Sequence, residues 1–328
     1  MEHSLRVLMI TSEWPTLEHP DWVPFLVQEV EFLRRAGVNV DVFSFRGAKR
    51  PWSYWKARKE VEKKMVQNRY DLIHTQYGQS TLLVLPQKKY PLVATFHGSD
   101  VEGIIGKNGH YTIAGKILQK VSFFGASQAD EVILVSQKLK RHLPIRHYNI
   151  IPCGLNLDLF QPMDMFSARQ ELGFAHGDVL VLFGGRPSVA EKRFSLAQTV
   201  IGLLKADFPA IHLVALEGIP HNRVPLYMNA CNALLVVSFH EGGPVVVKEA
   251  LACNLPVVST DVGDVRERIS SIDGCFVCDN DKPETIALAL KQVLVMEKRI
   301  KGRETISDLD ENLLVQKILA VYEKALSE

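Results

Sequence analysis

Charge imbalance is missing from this chain: 38 Lys and Arg face 37 Asp and Glu, for a net charge of +1 and a pI near 7.7. The basic excess that marks a nucleic-acid binder is therefore absent. Cysteine is scarce, five residues in 328 and an odd count, which fits a reducing cytosol better than a disulfide framework. Cys275 and Cys278 form a lone CxxC with no second ligand pair nearby, so two core-facing strand cysteines explain the spacing better than zinc does. The N-terminal apolar run "VLMI" is too short for a signal peptide or a membrane span, and the cytoplasm is the expected location. No low-complexity tract or fine-scale repeat interrupts the chain. "FGGRPS" is not a G-x-G-x-x-G, so the dinucleotide fingerprint is absent. What remains, 47% apolar and 23% charged, is ordinary globular composition at a length that suggests two domains.

What is present is alternation of strands and helices, in two series. The first holds "RVLMI", "VNVDVFSF", "DLIHTQ", "PLVATFHG", "EVILVS" and "NIIPCG", separated by helical stretches such as "FLVQEVEFLRRAG" with its Gly37 stop. Strands this apolar are covered on both faces, which indicates parallel sheets with helices on each side. A second series, "VLVLFGG", "IHLVAL", "ALLVVSF", "PVVST" and "CFVC", follows the Pro-marked connection "LDLFQPMD". The expected class is α/β, two Rossmann-like doubly wound domains, residues 1–157 and 158–310, with a C-terminal helix at 311–328 that packs back toward the first. Such sheets bind ligands beyond the carboxyl ends of their strands, which places the candidate site in a cleft between the two domains.

The stretch "HEGGPVVVKEALACNLPVVSTDVGDV", residues 240–265, contains a chemical oddity. It reads as strand, loop, helix and strand, with Pro244 at the first helical position, Asn254 as a left-handed cap and about ten helical residues. The helix is apolar nearly all round and therefore buried, yet it carries Glu249. A buried carboxylate must be met by donors. Lys248 cannot supply them, because adjacent helical residues do not face each other. Glu241 stands just before the helix, and the N–H groups of Gly242, Gly243, Val245 and Val246 offer an anion site on that loop. After "VLVLFGG", which ends on Gly185, come Arg186 and then Lys192 and Arg193, cations suited to phosphate at a turn that opens a helix. Taken alone, a solvated basic loop is the stronger explanation for them. His97-Gly98-Ser99-Asp100 lies at another strand's end, where a single histidine is more often structural than catalytic. Together these features fit one ligand, a diphosphate attached to a ribose whose hydroxyls donate to a carboxylate.

Glu241 and Glu249, with seven residues between them and the tail "EALACNLPVVSTDVGDV", resemble the E-x7-E signature of retaining glycosyltransferases of the GT-B fold, family 4 (glycosyl transferases group 1). "IIPCGLNLDLFQP" is similar to that family's interdomain segment, Arg186 with Lys192 to its diphosphate-binding pair, and "FHGSD" to its N-domain histidine loop. The resemblance covers nearly the whole chain. It implies that Glu249 holds the nucleotide ribose and that Glu241 and the amides after it hold the donor sugar. Arg186 and Lys192 would neutralise the departing diphosphate, and His97 would lie beside the anomeric centre. Gly185 joins the donor-binding set, and Leu216 and Gly218 in "LEGIP" are the candidates for base recognition. The implied enzyme is a metal-independent hexosyltransferase with no cofactor, whose donor is a nucleoside-diphosphate sugar, a UDP-sugar favoured over a GDP-sugar. Its implied acceptor is a glycan or lipid-linked group in cell-surface polysaccharide or glycolipid synthesis. The chain departs from the family at Cys153, where Asn is frequent, at "DWVPF", where a Gly is usual, and at Arg193, where a Gly follows the lysine. Between "IHLVAL" and "ALLVVSF" there is room for one short helix, "RVPLYMNACN", where relatives fit an extra strand and helix.

The two carboxylates also suit a glycoside hydrolase, but a hydrolase has no use for Arg186, Lys192 and an open helix terminus. A sugar-nucleotide epimerase is disfavoured because it needs further carboxylates for acid–base work, and a silent sugar-nucleotide sensor because all the core groups are present. The DxD string Asp308-Leu309-Asp310 opens the final helix "ENLLVQKILAVYEKAL" and reads as a cap with first-turn acids, not as a metal site. "RGAKRPWSYWKARKEVEKKMVQNR" interleaves Arg46, Lys49, Arg50, Lys56, Arg58, Lys59, Lys63, Lys64 and Arg69 with Trp52, Tyr54 and Trp55. It suits an anionic membrane surface, with peripheral attachment at the inner face of the membrane, and equally a phosphorylated acceptor or plain solvation.

Overall fold

The structure, a computed structural model, describes residues 4–19, 22–46, 51–87, 89–106 and 110–327. In chain order the first series is β1 (Arg6–Thr11), α1 (Pro24–Arg35), β2 (Asn39–Ser44), α2 (Pro51–Gln67), β3 (Leu72–Gln76), β4 (Leu92–Phe96), α3 (Ser99–Glu102), α4 (Ile113–Gln128), β5 (Glu131–Leu134) and β6 (Asn149–Ile150). The second is α5 (Met165–Leu172), β7 (Val179–Phe183), α6 (Phe194–Leu204), β8 (Ile211–Val214), α7 (Val224–Ala230), β9 (Ala233–Val236), α8 (Val245–Ala252), β10 (Val257–Thr260), α9 (Val265–Ile269), β11 (Phe276–Cys278), α10 (Pro283–Met296) and α11 (Glu311–Ser327).

The chain divides into two compact units. One comprises Met1–Ile104, Tyr111–Gly154 and Glu311–Glu328, the other Ile105–His110 and Leu155–Asp310. The Pro-marked connection Leu157–Met163 lies inside the second unit, because Leu155 and Phe160 are fully buried in that unit's core. Arg303 fastens the segment by donating to the carbonyls of Leu157, Phe160 and Ala252.

In the first unit a six-stranded sheet runs β2-β1-β3-β4-β5-β6, and in the second a five-stranded sheet runs β11-β10-β9-β7-β8. Every pairing is parallel. Alternate residues serve opposite faces. Val7 and Met9 of β1 pack with Leu26, Val30 and Leu33 of α1 and with Leu314, Ile318 and Tyr322 of α11. Leu8 and Ile10 pack with Val61 of α2 and Leu83. Each such fully buried aliphatic side chain stabilises the fold by about 2 kcal/mol, and covering both faces is what a parallel sheet requires. The core positions 26, 30 and 33 of α1 follow helical spacing, two arginines complement its C-terminal dipole, and Gly37 beyond it takes φ +91°.

The same alternation governs the second unit. Leu180, Leu182, Leu234 and Val236 face Val247, Ala250 and Leu251 of α8, while Val181, Phe183 and Leu235 face α6 and α10. The strand order reverses beside β1 in one sheet and beside β7 in the other. The carboxyl ends of β1 and β3, and of β7 and β9, therefore flank the two positions where doubly wound sheets open a ligand crevice.

Candidate functional site

At the switch point of the second sheet, β7 runs out into Gly184-Gly185-Arg186 and β9 into Ser238 through Pro244. Gly184 allows the strands to close up, since a Cβ there would meet Val236 Cγ2 at 2.5 Å. Gly185 leaves passage for the stem of Lys192, whose Cγ stands 2.7 Å from where a Cβ would be. Lys192 reaches across to Glu241 and donates to Oε1, the oxygen that also accepts from Ser238 Oγ at 2.7 Å. The backbone joins the two loops as well, through Phe239 N–H to the Glu191 carbonyl at 2.9 Å. The structure thus brings together Gly185, Lys192 and Glu241. Arg186 is partly buried in the same loop. Arg193 turns away: its Nη1 donates to Asp281 at 2.8 Å and its guanidinium lies 4.5 Å from the centre of the Phe239 ring. Its φ of +56° is the left-handed conformation that glycine adopts freely.

Helix α8 starts one residue later than its sequence suggests. Pro244 is the N-cap residue, with φ −66° and ψ 110°, and the helix runs for eight residues, Val245–Ala252. Asn254 does take the left-handed conformation, at φ +55°. The loop before the helix is pressed against Gly263, where a Cβ would meet Pro244 Cδ at 2.9 Å and the Glu241 carbonyl at 3.0 Å, and where φ is +51°. The glycine of "STDVGDV" is thereby explained. Gly242 and Pro244 are buried, while Gly243, Val245 and Val246 keep part of their surface. The first N–H groups of a helix have no partner within it, which is the chemistry an anion uses.

Glu249 is 5% exposed, and its partner is one that reasoning from sequence missed. His221 Nε2–H donates to Glu249 Oε1 at 2.7 Å, and Phe160 stands against the histidine ring at 5.2 Å. His221 is 28 residues upstream, directly after "LEGIP", and no local periodicity connects it with α8. Lys248 points elsewhere, its Nζ 3.6 Å from the buried Asp264, which Arg268 also approaches at 3.4 Å. In "LEGIP", Leu216 packs against the hydrophobic core. Gly218 takes φ +76° with open space around it. Glu217 accepts from Ser188 Oγ at 2.7 Å, tying this turn to the loop that carries Arg186.

His97 lies in the first unit, at the end of β4, and is partly buried. Asp100 shapes its loop: one carboxylate oxygen accepts from the N–H groups of His97 and Gly98, at 3.1 and 2.8 Å, and the other from Gly78 N–H at 3.0 Å. Burial pushes Asp100 up to about 6 against those hydrogen bonds, and desolvation pushes His97 down to about 3. His97 Nε2 meets Gln76 Oε1 at 2.7 Å, and Cys153 Sγ is 3.8 Å from Nδ1.

Three further sequence expectations meet the structure here. Asp308 of this DxD string is ion-paired with Arg268 at 2.9 Å within a short 3₁₀ turn, Ser307–Leu309, and Asp310 directly precedes α11. Among the described residues no group of His, Cys, Asp and Glu is arranged to hold a metal. Cys275 and Cys278 are free thiols, both pushed up to about 11 by burial. The basic stretch forms α2, with Trp52 77% and Trp55 55% exposed; Lys49 and Arg50 lie outside the described residues. Part of its charge is internally engaged, since Lys64 pairs with Asp41 at 2.8 Å, Arg58 donates to the Leu85 carbonyl at 2.6 Å, and Lys59 lies over Trp55. No helix among the described residues is long and apolar enough to cross a membrane.

Two family models match the chain: Glycosyltransferase Family 4 over residues 2–159 and Glycosyl transferases group 1 over residues 179–308. The chain is 30% identical over 217 residues to a Bacillus subtilis (strain 168) glycosyltransferase assigned to teichuronic acid biosynthesis, TuaC, with 60% of this chain and 54% of TuaC covered. It therefore spans about half the length of that relative. Among solved structures, sucrose-phosphate synthase from Thermosynechococcus elongatus aligns with a TM-score of 0.81 at 18% identity, covering 98% of this chain and 99% of that one. Anabaena HepE in complex with UDP-glucose aligns with a TM-score of 0.71 at 16% identity, covering 97% and 99%. With one family model on each half and the architecture of two doubly wound parallel sheets, the chain belongs to the family 4 glycosyltransferases and has the GT-B fold.

Proposed function

We propose that this glycosyltransferase moves a hexose from a nucleoside diphosphate to an acceptor hydroxyl with retention of anomeric configuration, without a metal ion, and with a UDP-sugar favoured over a GDP-sugar as donor. The observation that carries the reading is the convergence at one sheet's switch point of Lys192, Glu241, the glycine loop before α8 and the buried Glu249. Glu249 accepts from the ribose hydroxyls, and Leu216 and Gly218 line the base. The amides of Gly242, Gly243, Val245 and Val246 take the diphosphate and sugar. Arg186 and Lys192 meet the charge that develops as the diphosphate departs, the step at which preorganised cations contribute most. Glu241 and His97 position the sugar. HepE is described as a complex with UDP-glucose, which supports the choice of donor, and TuaC's assignment to teichuronic acid supports a cell-surface polysaccharide or glycolipid acceptor. The exposed tryptophan face of α2 is the candidate contact for an anionic membrane or an acceptor phosphate.

The test begins with thermal shifts against UDP, GDP, ADP and their sugars, since a ligand that binds only the native state raises its stability. Labelled donor without acceptor should then be hydrolysed slowly, with EDTA present, and the product formed with acceptor should keep its anomeric configuration by NMR. No stabilisation by any nucleotide overturns the proposal. Loss of turnover in EDTA, restored by magnesium, overturns metal independence alone.

A further inference from the structure

His97 has a part in the proposed function, and the side chains around it determine which of its nitrogens carries the proton. The deciding residue is Gln76, the last residue of β3, beside the switch point of the first sheet. Its amide nitrogen donates to Glu29 Oε1 of α1 at 2.7 Å and lies 3.4 Å from His74 Nε2. His74 is fully buried, with its Nε2 2.7 Å from Thr95 Oγ1 and its Nδ1 2.7 Å from Tyr322 OH. These contacts are mutually consistent when His74 donates from Nδ1 to the Tyr322 oxygen and accepts at Nε2. One hydrogen of the Gln76 amide is then used on Glu29, and the other lies toward the His74 Nε2 lone pair, which the Thr95 hydroxyl shares at the shorter distance. The Gln76 oxygen is left facing His97 Nε2 at 2.7 Å, and an amide oxygen can only accept. His97 therefore carries its proton on Nε2, and Nδ1 is bare, facing the weakly donating thiol of Cys153 at 3.8 Å.

We propose that Gln76, oriented by Glu29 and His74, is a positioning residue that fixes His97 as the Nε2–H tautomer and so leaves its Nδ1 as a hydrogen-bond acceptor. A bare Nδ1 suits a sugar hydroxyl, which can donate, and rejects a phosphate oxygen, which cannot. Desolvation pushes both His74 and His97 down to about 3. Both rings are thus neutral near pH 7, and hydrogen bonding, not charge, selects the tautomer. A hydrogen-bond partner that sets a histidine tautomer is a general device of catalytic histidines. Only the kinetic consequence of the proposal rests on the function given above.

The experiment is NMR of protein labelled with ¹⁵N-histidine, with the His97 signals assigned by their loss in His97→Asn. The wild-type pattern should show a protonated Nε2 and a bare Nδ1. Gln76→Leu, which removes the acceptor, should convert His97 to a mixture containing Nδ1–H. The remaining histidine signals of Gln76→Leu should keep their wild-type shifts, which separates a local change of tautomer from misfolding. Glu29→Gln should give an intermediate mixture, because an amide can face Gln76 with either a donor or an acceptor. With UDP-glucose as probe, Gln76→Leu should lower kcat by about 10- to 100-fold, as misplaced reacting groups do, with little change in KM. An unchanged His97 pattern in Gln76→Leu overturns the proposal. A changed pattern with unchanged kcat upholds the positioning and overturns instead the role assigned to His97 in the reaction.

Discussion

The candidate groups of the two units are held by opposite means. In the second unit they are paired with carboxylates: Lys192 with Glu241, His221 with Glu249, and Arg193 with Asp281. In the first, His97 sits in a chain of hydrogen bonds through Gln76, with Glu29, His74 and Tyr322 behind it, and its two histidines are neutral. A partly exposed ion pair can trade its protein partner for a ligand at modest cost, because each charge keeps a counter-charge throughout. A buried neutral chain cannot reorder one member without leaving another unsatisfied. The comparison teaches that the second unit is built to exchange partners with an anion and the first to hold one geometry.

The sharpest way to break that contrast is at Lys192. Lys192→Met removes a cation from the diphosphate and leaves Glu241 with Ser238 alone, so donor kcat/KM should fall by about 10²- to 10³-fold, as when a preorganised electrostatic group is lost. Lys192→Met with Glu241→Gln should cost less than the product of the two single effects, because the uncompensated carboxylate is gone as well. Strictly multiplicative effects in steady-state kinetics would mean that the pair is not functionally coupled.

A smaller effect is expected at His221. Removal of the imidazole leaves Glu249 buried without its donor, so His221→Ala should weaken UDP by about 10- to 100-fold by calorimetry, from the roughly 1.5–3 kcal/mol of a hydrogen bond to a charged group. Glu249→Gln should weaken UDP and the intact sugar nucleotide alike. Tighter UDP binding by His221→Ala would show that the histidine competes with the ribose instead of orienting the carboxylate.

Legibility from sequence followed the range of the interactions. Each strand of both sheets was readable because an apolar run with turn residues at its ends is a local signal, and α1 because its core positions recur at helical spacing. Glu249 stood out because burial of a carboxylate in an apolar helix is also local. His221 was not readable, since only the β8–α7 turn brings it to α8, and a histidine in a polar loop carries no mark of its partner. Gln76 was hidden for the same reason: it closes an apolar strand and meets His97 only because β3 and β4 are neighbours. The start of α8 was misjudged by one residue because Pro suits both the N-cap and the first helical position. The pairing of Asp308 with Arg268 was not readable, because an acid beside a helix start and an acid paired with a distant arginine look identical in a string.

The neutral chain of the first unit can be tested through its pH dependence. Glu29 is pushed up to about 7 by burial from a reference of 4.5, so the native state holds a proton that the unfolded state has lost between those values. Stability contributed by that proton is full below about 4.5 and is lost as pH rises through 7. His74 and His97, pushed down to about 3 from 6.5, act in the other direction: the unfolded state takes up protons first, and stability falls as pH drops below about 6.5. Glu29→Gln removes only the first contribution. Between pH 5 and 6.5 its stability should therefore rise more steeply with pH than that of the wild type, by at most about one proton, roughly 1.4 kcal/mol per pH unit. Urea midpoints across that window decide it, and parallel curves for the two proteins would show that Glu29 is not held protonated.

The smallest effect concerns Arg193, the charged residue of the second unit whose pair is structural. At φ +56° its backbone is in a region that costs a residue with a Cβ roughly 1–2 kcal/mol. Two side-chain contacts offset this, the ion pair with Asp281, whose side chain is 61% exposed, worth about 0.2–1 kcal/mol, and the guanidinium over Phe239, worth about 0.5–1 kcal/mol. Arg193→Ala and Arg193→Gly lose the same contacts and differ only in backbone freedom. The alanine variant keeps the strain, whereas glycine relieves it but gains freedom in the unfolded chain, which returns part of the benefit. Glycine should therefore be the more stable of the two by about 1 kcal/mol, and within about 1 kcal/mol of the wild type. Urea denaturation of the three proteins measures both differences. If alanine proves as stable as glycine, the loop after Lys192 is not held in the left-handed conformation, and the ion pair with Asp281 has no strain to offset.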